Sequence, residues 1–300
     1  MMRSLTLKRS DYFTGAAHPV AVEHRYPQDI FPLHSHDFDE IVIVWRGNGL
    51  HIWNGLPYRI TYGDVLYVTQ QDKHYYQSVE NLELVNILFC RDRLRLGTDW
   101  NSLLPGIETH QESRSWRLTG ESLALIHPHI ERLAGECSRK DLFSLRLTES
   151  IFLELVLLLM RHRYQAKKPA SHARRDIDLV MAALGSNMSE RFELESLCVQ
   201  HQLSPRSVRD TFKQVTGMTI SRYQMQRRLC HAINLLSSSE LPISEVASIS
   251  GFSDSNYFSV IFQKTFNQSP SHCRRVLQER GTGRGHFPFS DHLLSSGDNV

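Results

Sequence analysis

Four side chains near the start of the chain have the types and spacing of a polar or metal-binding centre. His34 and His36 are one residue apart, Glu40 follows, and His74 lies downstream. Two imidazoles, a carboxylate and a third imidazole can hold Fe(II), Mn(II) or Zn(II) and still leave open positions. That chemistry would make the chain a metal-dependent oxygenase or isomerase. The same groups can instead hydrogen-bond the hydroxyls of a sugar, with Arg25 as a further polar contact. A sugar also needs an aromatic face against its C–H bonds, and Trp45, Trp53, Tyr58, Tyr62 and Tyr67 are candidates.

A second set of residues lies near the other end. Arg206, Arg209, Asp210 and Lys213 fall at i, i+3, i+4 and i+7, so they share one helix face. Val208, Phe212 and Val215 form the opposite, apolar stripe. About fifty residues downstream the grammar repeats. Tyr257, Phe258, Ile261 and Phe262 fall on one face, and Ser255, Asn256, Ser259 and Gln263 on the other. Phe262 corresponds to Phe212, Phe258 to Val208 and Asn256 to Arg206. Each of these helices follows a shorter one, carrying Leu194, Leu197 and Cys198 in the first copy and Ile243, Val246, Ala247 and Ile249 in the second. Ser204 caps one second helix, and Asp254 or Ser253 the other. Ser250-Gly251-Phe252 makes a tight turn. The matching His201-Gln202-Leu203 lacks glycine, so Gln202 is expected at positive φ. Residues 222–240 read as one long helix joining the copies. A short helix pinned by aromatics, with small polar groups outward, fits a DNA major groove. Any two-helix hairpin with a wet face is the plainer alternative.

Arg228-Leu229, Ala232, Leu236, Ile243, Val246-Ala247, Gly251-Phe252, Tyr257-Phe258, Phe262, Phe266 and Ser269-Pro270 form a spaced pattern that resembles the DNA-binding domain of the AraC/XylS family of transcription regulators. The stretch over residues 26–68 extends that resemblance into the N-terminal half. It implies a non-enzymatic activator of an L-rhamnose regulatory operon, with L-rhamnose as effector and no cofactor or resident metal. It also implies base contacts from Arg206, Arg209, Asp254, Asn256, Ser255 and Ser259. Arginine suits guanine O6 and N7, asparagine adenine N6 and N7, and aspartate cytosine N4. Lys213, Arg222, Arg227 and Arg228 become candidates for phosphate contacts that fix register. Glu245 and Asp254 match places where such activators offer acid groups to the sigma subunit of RNA polymerase. Asp210 and Val260 depart from the expected polar or basic types.

The elements that must position these groups follow from patterning. Short runs rich in Val, Ile, Tyr and Trp over residues 20–90, broken at Gly47-Asn48-Gly49, Asn54-Gly55 and Gly63-Asp64, predict strands at Glu40–Trp45, Leu50–Trp53, Tyr58–Tyr62, Val65–Val68 and Leu84–Phe89. Many short strands with glycine turns argue for a jelly-roll, cupin-like barrel. Thr69 and Gln71 stand where a metal-binding cupin expects Pro and Gly. Helical periodicity then puts Ile126, Ile130 and Leu133 on one stripe and Phe152, Leu155, Val156 and Leu159 on another. That pair of helices would serve either a homodimer contact or packing on the barrel. The expected class is α+β: an effector-binding and dimerisation domain over 1–164, with the barrel at about 18–110 and helices at about 121–164. A polar linker follows over 165–175, a helical DNA-binding domain over 176–280 and a disordered tail over 281–300. The two helix-turn-helix units fall at about 194–215 and 243–266.

Composition narrows the class. The chain has 300 residues, 41% hydrophobic, with a formal net charge of +2, too small for binding nucleic acid by bulk charge. Cys90, Cys137, Cys198, Cys230 and Cys273 are scattered without CxxC spacing, which fits reduced cytoplasmic thiols. The longest apolar run, Ile151–Met160, is broken by Glu154 and too short to span a bilayer. No charged-then-apolar leader opens the chain. The expected partners are double-stranded DNA, a second copy, the sigma subunit and a sugar, with no membrane.

Overall fold

The computed structural model describes residues 5–104, 111–165, 175–186 and 192–280. The expected tail and residues 166–174 of the expected linker lie outside them. The N-terminal half holds eight strands in one sheet: β1 (Leu5–Leu7), β2 (Val20–Arg25), β3 (Phe31–His36), β4 (Asp39–Trp53), β5 (Leu56–Thr61), β6 (Asp64–Val68), β7 (His74–Phe89) and β8 (Ser115–Arg117). Short helices α1 (Arg9–Tyr12) and α2 (Trp100–Leu103) edge it, and α3 (Gly120–Cys137) and α4 (Leu142–Gln165) cover one face.

β4 and β7 pair along their whole lengths and serve both halves of the sheet. Toward one end β2 joins β7 at Leu84–Phe89 and β6 joins β4 at Glu40–Ile43. Toward the other, β3 joins the start of β7, β1 lies parallel to β3, and β5 joins β4 at Asn48–Trp53. Register shifts between Val44 and Leu50 separate the halves. There Gly47 has φ +73, and a Cβ on it would sit 1.9 Å from the Asn81 carbonyl oxygen. Gly47-Asn48-Gly49 is therefore not the strand-ending turn expected from sequence. It is a bulge inside one long strand, where the extra residue sharpens the twist.

Strand alternation sorts the side chains. Val42, Val44, Leu66, Val68, Leu82 and Leu84 pack with Trp53, Ile60 and Tyr76 inside the folded sheet. Ile41, Ile43, Val65, Tyr67, Val85, Ile87 and Phe89 meet the α3 stripe Ile126, Ile130 and Leu133 and the α4 stripe Phe152, Leu155, Val156 and Leu159.

The C-terminal half is helical: α5 (Arg175–Ser186), α6 (Leu194–His201), α7 (Pro205–Thr216), α8 (Ile220–Ser238), α9 (Ile243–Ile249), α10 (Ser255–Phe266) and α11 (Pro270–Arg280). The sheet–helix core continues through Ile177, Val180, Cys198, Val208 and Phe212 to Tyr223. Further along α8, Leu229, Ala232, Ile233 and Leu236 join a second core with Val246, Phe252, Phe258, Phe262 and Phe266. The joining helix thus spans two cores. No helix among the described residues is long and apolar enough to cross a membrane. None of the five cysteines, all among the described residues, is in a disulfide.

Candidate functional sites

Residues of β2, β3, the start of β4 and both ends of β7 line a cavity of about 370 Å³. That volume lies in the roughly 300–1,000 Å³ range of small-molecule sites. His34, His36, Glu40 and Arg25 line it, with Tyr76 and Asn86 added by the structure. His36 Nε2, Glu40 Oε2, His74 Nε2, Tyr76 Oη and Asn86 Oδ1 are buried there without a hydrogen-bond partner. Glu40 Oε2 lies 3.6 Å from His36 Nε2 and 3.5 Å from His74 Nε2. His36 Nδ1 is 2.5 Å from the Phe38 carbonyl, and His34 Nδ1 is 2.9 Å from that of Pro32.

Burial shapes the electrostatics. It pulls the pKa of His34 below the ordinary value, and that of His74 well below it, with the neighbouring imidazoles adding to the effect on His74. His51 is pulled down to about 3, again first by burial. Burial also works against a charged His36, but the Glu40 carboxylate and the Phe38 carbonyl more than reverse it and raise that pKa.

Two expectations change here. Trp45 does not reach the cavity: it packs with the sheet–helix core, its ring 5.2 Å from that of His127. The aromatic face is instead Tyr12, Phe31, Phe38 and Tyr76, and none of Trp53, Tyr58, Tyr62 and Tyr67 lines the site. Of the four metal candidates, His36, Glu40 and His74 converge, while His34 stays outside the trio, its ring edge-on to Phe31. His51, whose Nε2 lies 2.9 Å from His74 Nδ1, was missed. It sits in an expected strand, and no spacing rule pairs it with His74.

The helix-turn-helix units are built as their residue types require. Gln202 has φ +56 and closes α6. The Ser204 side chain accepts from the Ser207 N–H at the start of α7, and Asp254 accepts from the Asn256 and Tyr257 N–H groups at the start of α10. Val208 and Phe212 are buried in one unit and Phe258 and Phe262 in the other. Tyr257 is a correction: it is 52% exposed, so Phe266 supplies the third pinning aromatic. Arg206 points outward with its side chain 93% exposed, 4.0 Å from Asp210. Arg209 is ion-paired with Glu195 of α6. Asn256 and Lys213 are exposed, and Ser255 is half-buried. Ser259 Oγ donates to the Ser255 carbonyl at 2.9 Å.

Two expected phosphate contacts have partners within the chain. Arg222 lies 3.7 Å from Glu80 of β7. Arg227 Nη1 donates to the Leu184 carbonyl of α5 at 2.8 Å. Arg228 is half-buried, and burial lowers its pKa. Asp254 is held as a helix cap, while Glu245 stands exposed in the first turn of α9.

Comparison with known proteins matches both halves. A helix-turn-helix domain model covers residues 197–276, and an AraC-like ligand binding domain model covers residues 17–156. The HTH-type transcriptional activator RhaR of Pectobacterium atrosepticum is 46% identical over 274 residues, 91% of this chain and 96% of that protein. A protein of the same name from Yersinia pseudotuberculosis is 45% identical over 278 residues, 92% of this chain and 95% of its own.

Proposed function

The chain belongs to the AraC family of helix-turn-helix regulators, a DNA-binding regulator that carries a small-molecule binding domain and not an enzyme, and from that premise we propose that it is a cytoplasmic, sugar-responsive activator of an L-rhamnose regulatory operon. The observation that carries the sugar reading is the set of five unpartnered polar atoms around one cavity. Leaving such groups buried is costly unless a ligand completes their hydrogen bonds. A small polyol offers donors and acceptors in every direction, and Tyr76 and Phe31 give its C–H face an apolar wall. L-rhamnose is the effector that likeness to the RhaR activators supports.

In this reading Arg206, Arg209 and Asn256 meet base edges, with Ser255 and Ser259 as lesser contacts, and Lys213 meets phosphate. Two chains pair through α4, whose Phe143, Leu147 and Leu157 share one face and are 79%, 45% and 45% exposed. Glu245, beside the second recognition helix, repels phosphate and so suits a protein partner, the sigma subunit of RNA polymerase. Effector binding shifts the population only by its difference in affinity between two arrangements.

The test is a thermal-shift and calorimetric titration of the full chain against L-rhamnose, other deoxyhexoses and pentoses. A rise in melting temperature with L-rhamnose alone is expected. No response, or an equal response to pentoses, rejects the assignment.

A further inference from the structure

We propose that His36, Glu40 and His74 bind a divalent first-row transition-metal ion, and that hydroxyls of the effector complete its coordination. The second half of this statement deepens the sugar reading and rests on it; the first half stands by itself.

The trio is the one group of three or more His, Cys, Asp and Glu side chains among the described residues whose donor atoms converge, all within 4.8 Å of one another. All three residues are buried. The carboxylate oxygen lies 3.6 Å from one imidazole nitrogen and 3.5 Å from the other. Those separations are long for hydrogen bonds. An ion at about 2.0–2.2 Å from each ligand in tetrahedral geometry sets its ligands roughly 3.3–3.6 Å apart. The gap therefore matches a shared cation better than direct contact, and it accounts for three unpartnered buried atoms at once.

The surrounding groups orient the ligands. With Nδ1–H of His36 donating to the Phe38 carbonyl at 2.5 Å, its Nε2 lone pair faces Glu40. His74 Nδ1 lies 2.9 Å from His51 Nε2, and a proton on Nδ1 leaves Nε2 of His74 free toward the same oxygen. Metal-binding histidines are regularly held in this way through their other ring nitrogen. Two imidazoles and a carboxylate, without thiolate, suit Zn(II), Mn(II), Co(II) or Fe(II) rather than Cu(I), and the nitrogen majority disfavours Ca(II) and Mg(II). Three protein ligands leave an open position. Here it opens on the cavity lined by Arg25, Tyr76 and Asn86. In a regulator that position is available to vicinal hydroxyls of a polyol.

The experiment uses full-length protein stripped with chelator and titrated with Co(II), Zn(II) and Mn(II) chlorides. Uptake of about one ion per chain is expected, with a raised melting temperature and ligand-field bands of low-coordinate Co(II). Glu40→Gln and His74→Gln abolish the bands. His51→Gln weakens the ion by roughly 10–100-fold through loss of orientation. Absence of uptake by the wild-type chain, or Co(II) bands unchanged in His74→Gln, overturns the site. Should the variants fail to fold, the wild-type titration still decides. L-rhamnose then shifts the Co(II) bands and binds stripped protein more weakly by a factor of about ten or more. Equal rhamnose affinity with and without the ion rejects the metal-mediated contact and leaves the proposed function standing. Ion uptake with no rhamnose response rejects the effector assignment and leaves the ion site standing.

Discussion

Arg206 shows how much a single outward side chain decides. Among the described residues its guanidinium is held only by a 4.0 Å approach to Asp210, so it is available for the two-pronged contact that arginine makes with guanine. Replacing it by alanine is expected to cost about 1–3 kcal/mol of operator binding and to relax preference at one base pair. Gel-shift titration against single-base operator variants checks this, and unchanged discrimination at every position rejects the contact. Asp72 is the opposite case, a residue whose role lies inside the fold. Its carboxylate takes two bonds from Arg114 and others from Asn54 and Thr69, just before His74. Burial would raise its pKa, but the Arg114 guanidinium, Asn54 and Thr69 outweigh burial and hold it below the ordinary value. The folded pKa is thus lower than the unfolded one. The stabilisation is fully present above about pH 4 and is lost as pH falls through the folded value. Asp72→Asn leaves Arg114 buried without its counter-charge and is expected to destabilise the chain by about 3–5 kcal/mol at neutral pH. Urea unfolding at pH 7 and pH 3 checks both the size and the sign.

Among the elements, α10 shows one residue serving local structure where the sequence suggests recognition. Asp254 Oδ1 accepts from the Asn256 and Tyr257 N–H groups at 2.6 and 2.9 Å. Asp254→Ala is expected to cost about 1 kcal/mol of stability through loss of the cap, whereas Asp254→Ser keeps the cap and removes only the charge. If the serine variant retains operator affinity and activation, Asp254 is a cap and neither a base nor a sigma contact. If it folds normally but loses either one, the carboxylate touches a partner. The helix pairs were legible because a 3.6-residue period with capping residues is a local signal, as Val208, Phe212 and Ser204 illustrate. The cavity was only half legible. His34, His36 and Glu40 lie close in sequence, but Tyr76 and Asn86, and His51 behind His74, arrive through the β4–β7 pairing, which no local pattern encodes. Trp45 was misplaced for the same reason. It packs with Ile41 and Ile43 against the helices, on the face opposite Glu40. Arg222 and Arg227 look like phosphate ligands on α8 until β7 of the N-terminal half supplies Glu80 and the nearby α5 supplies the Leu184 carbonyl.

Across the whole molecule, β4 links the cavity to the DNA-binding helices. Glu40 lies at one end of the strand. Asn48, in the bulge eight residues on, donates through Nδ2 to the Thr216 carbonyl at the end of α7. Arg59 of β5 donates to Asn48 Oδ1 at 3.1 Å. Gly217 closes α7 with φ +77, and a Cβ there would come within 2.8 Å of Asn48 Nδ2, so the strand and the helix end meet without room for a side chain. Arg117 extends the same joint, ion-paired with Asp64 at 2.6 Å and donating to the Tyr223 hydroxyl of α8 at 2.9 Å. A change at Glu40 therefore reaches the recognition helix α7 along the backbone of β4 and through the Asn48 side chain. Coupling between two sites is a free energy, typically about 1–3 kcal/mol, and it vanishes when the element that both sites bias is cut. Asn48→Ala in the full chain is expected to cost about 1–3 kcal/mol of stability, because it leaves the Thr216 carbonyl and the Arg59 guanidinium without a buried partner. It is expected to leave effector affinity close to the parent and to shrink the effector-induced change in operator affinity by roughly 5-fold or more. Operator titrations with and without effector, on parent and variant, measure that ratio. An unchanged ratio means that the signal crosses elsewhere, through Arg117 and Tyr223, and Arg117→Met is then the substitution that reduces it.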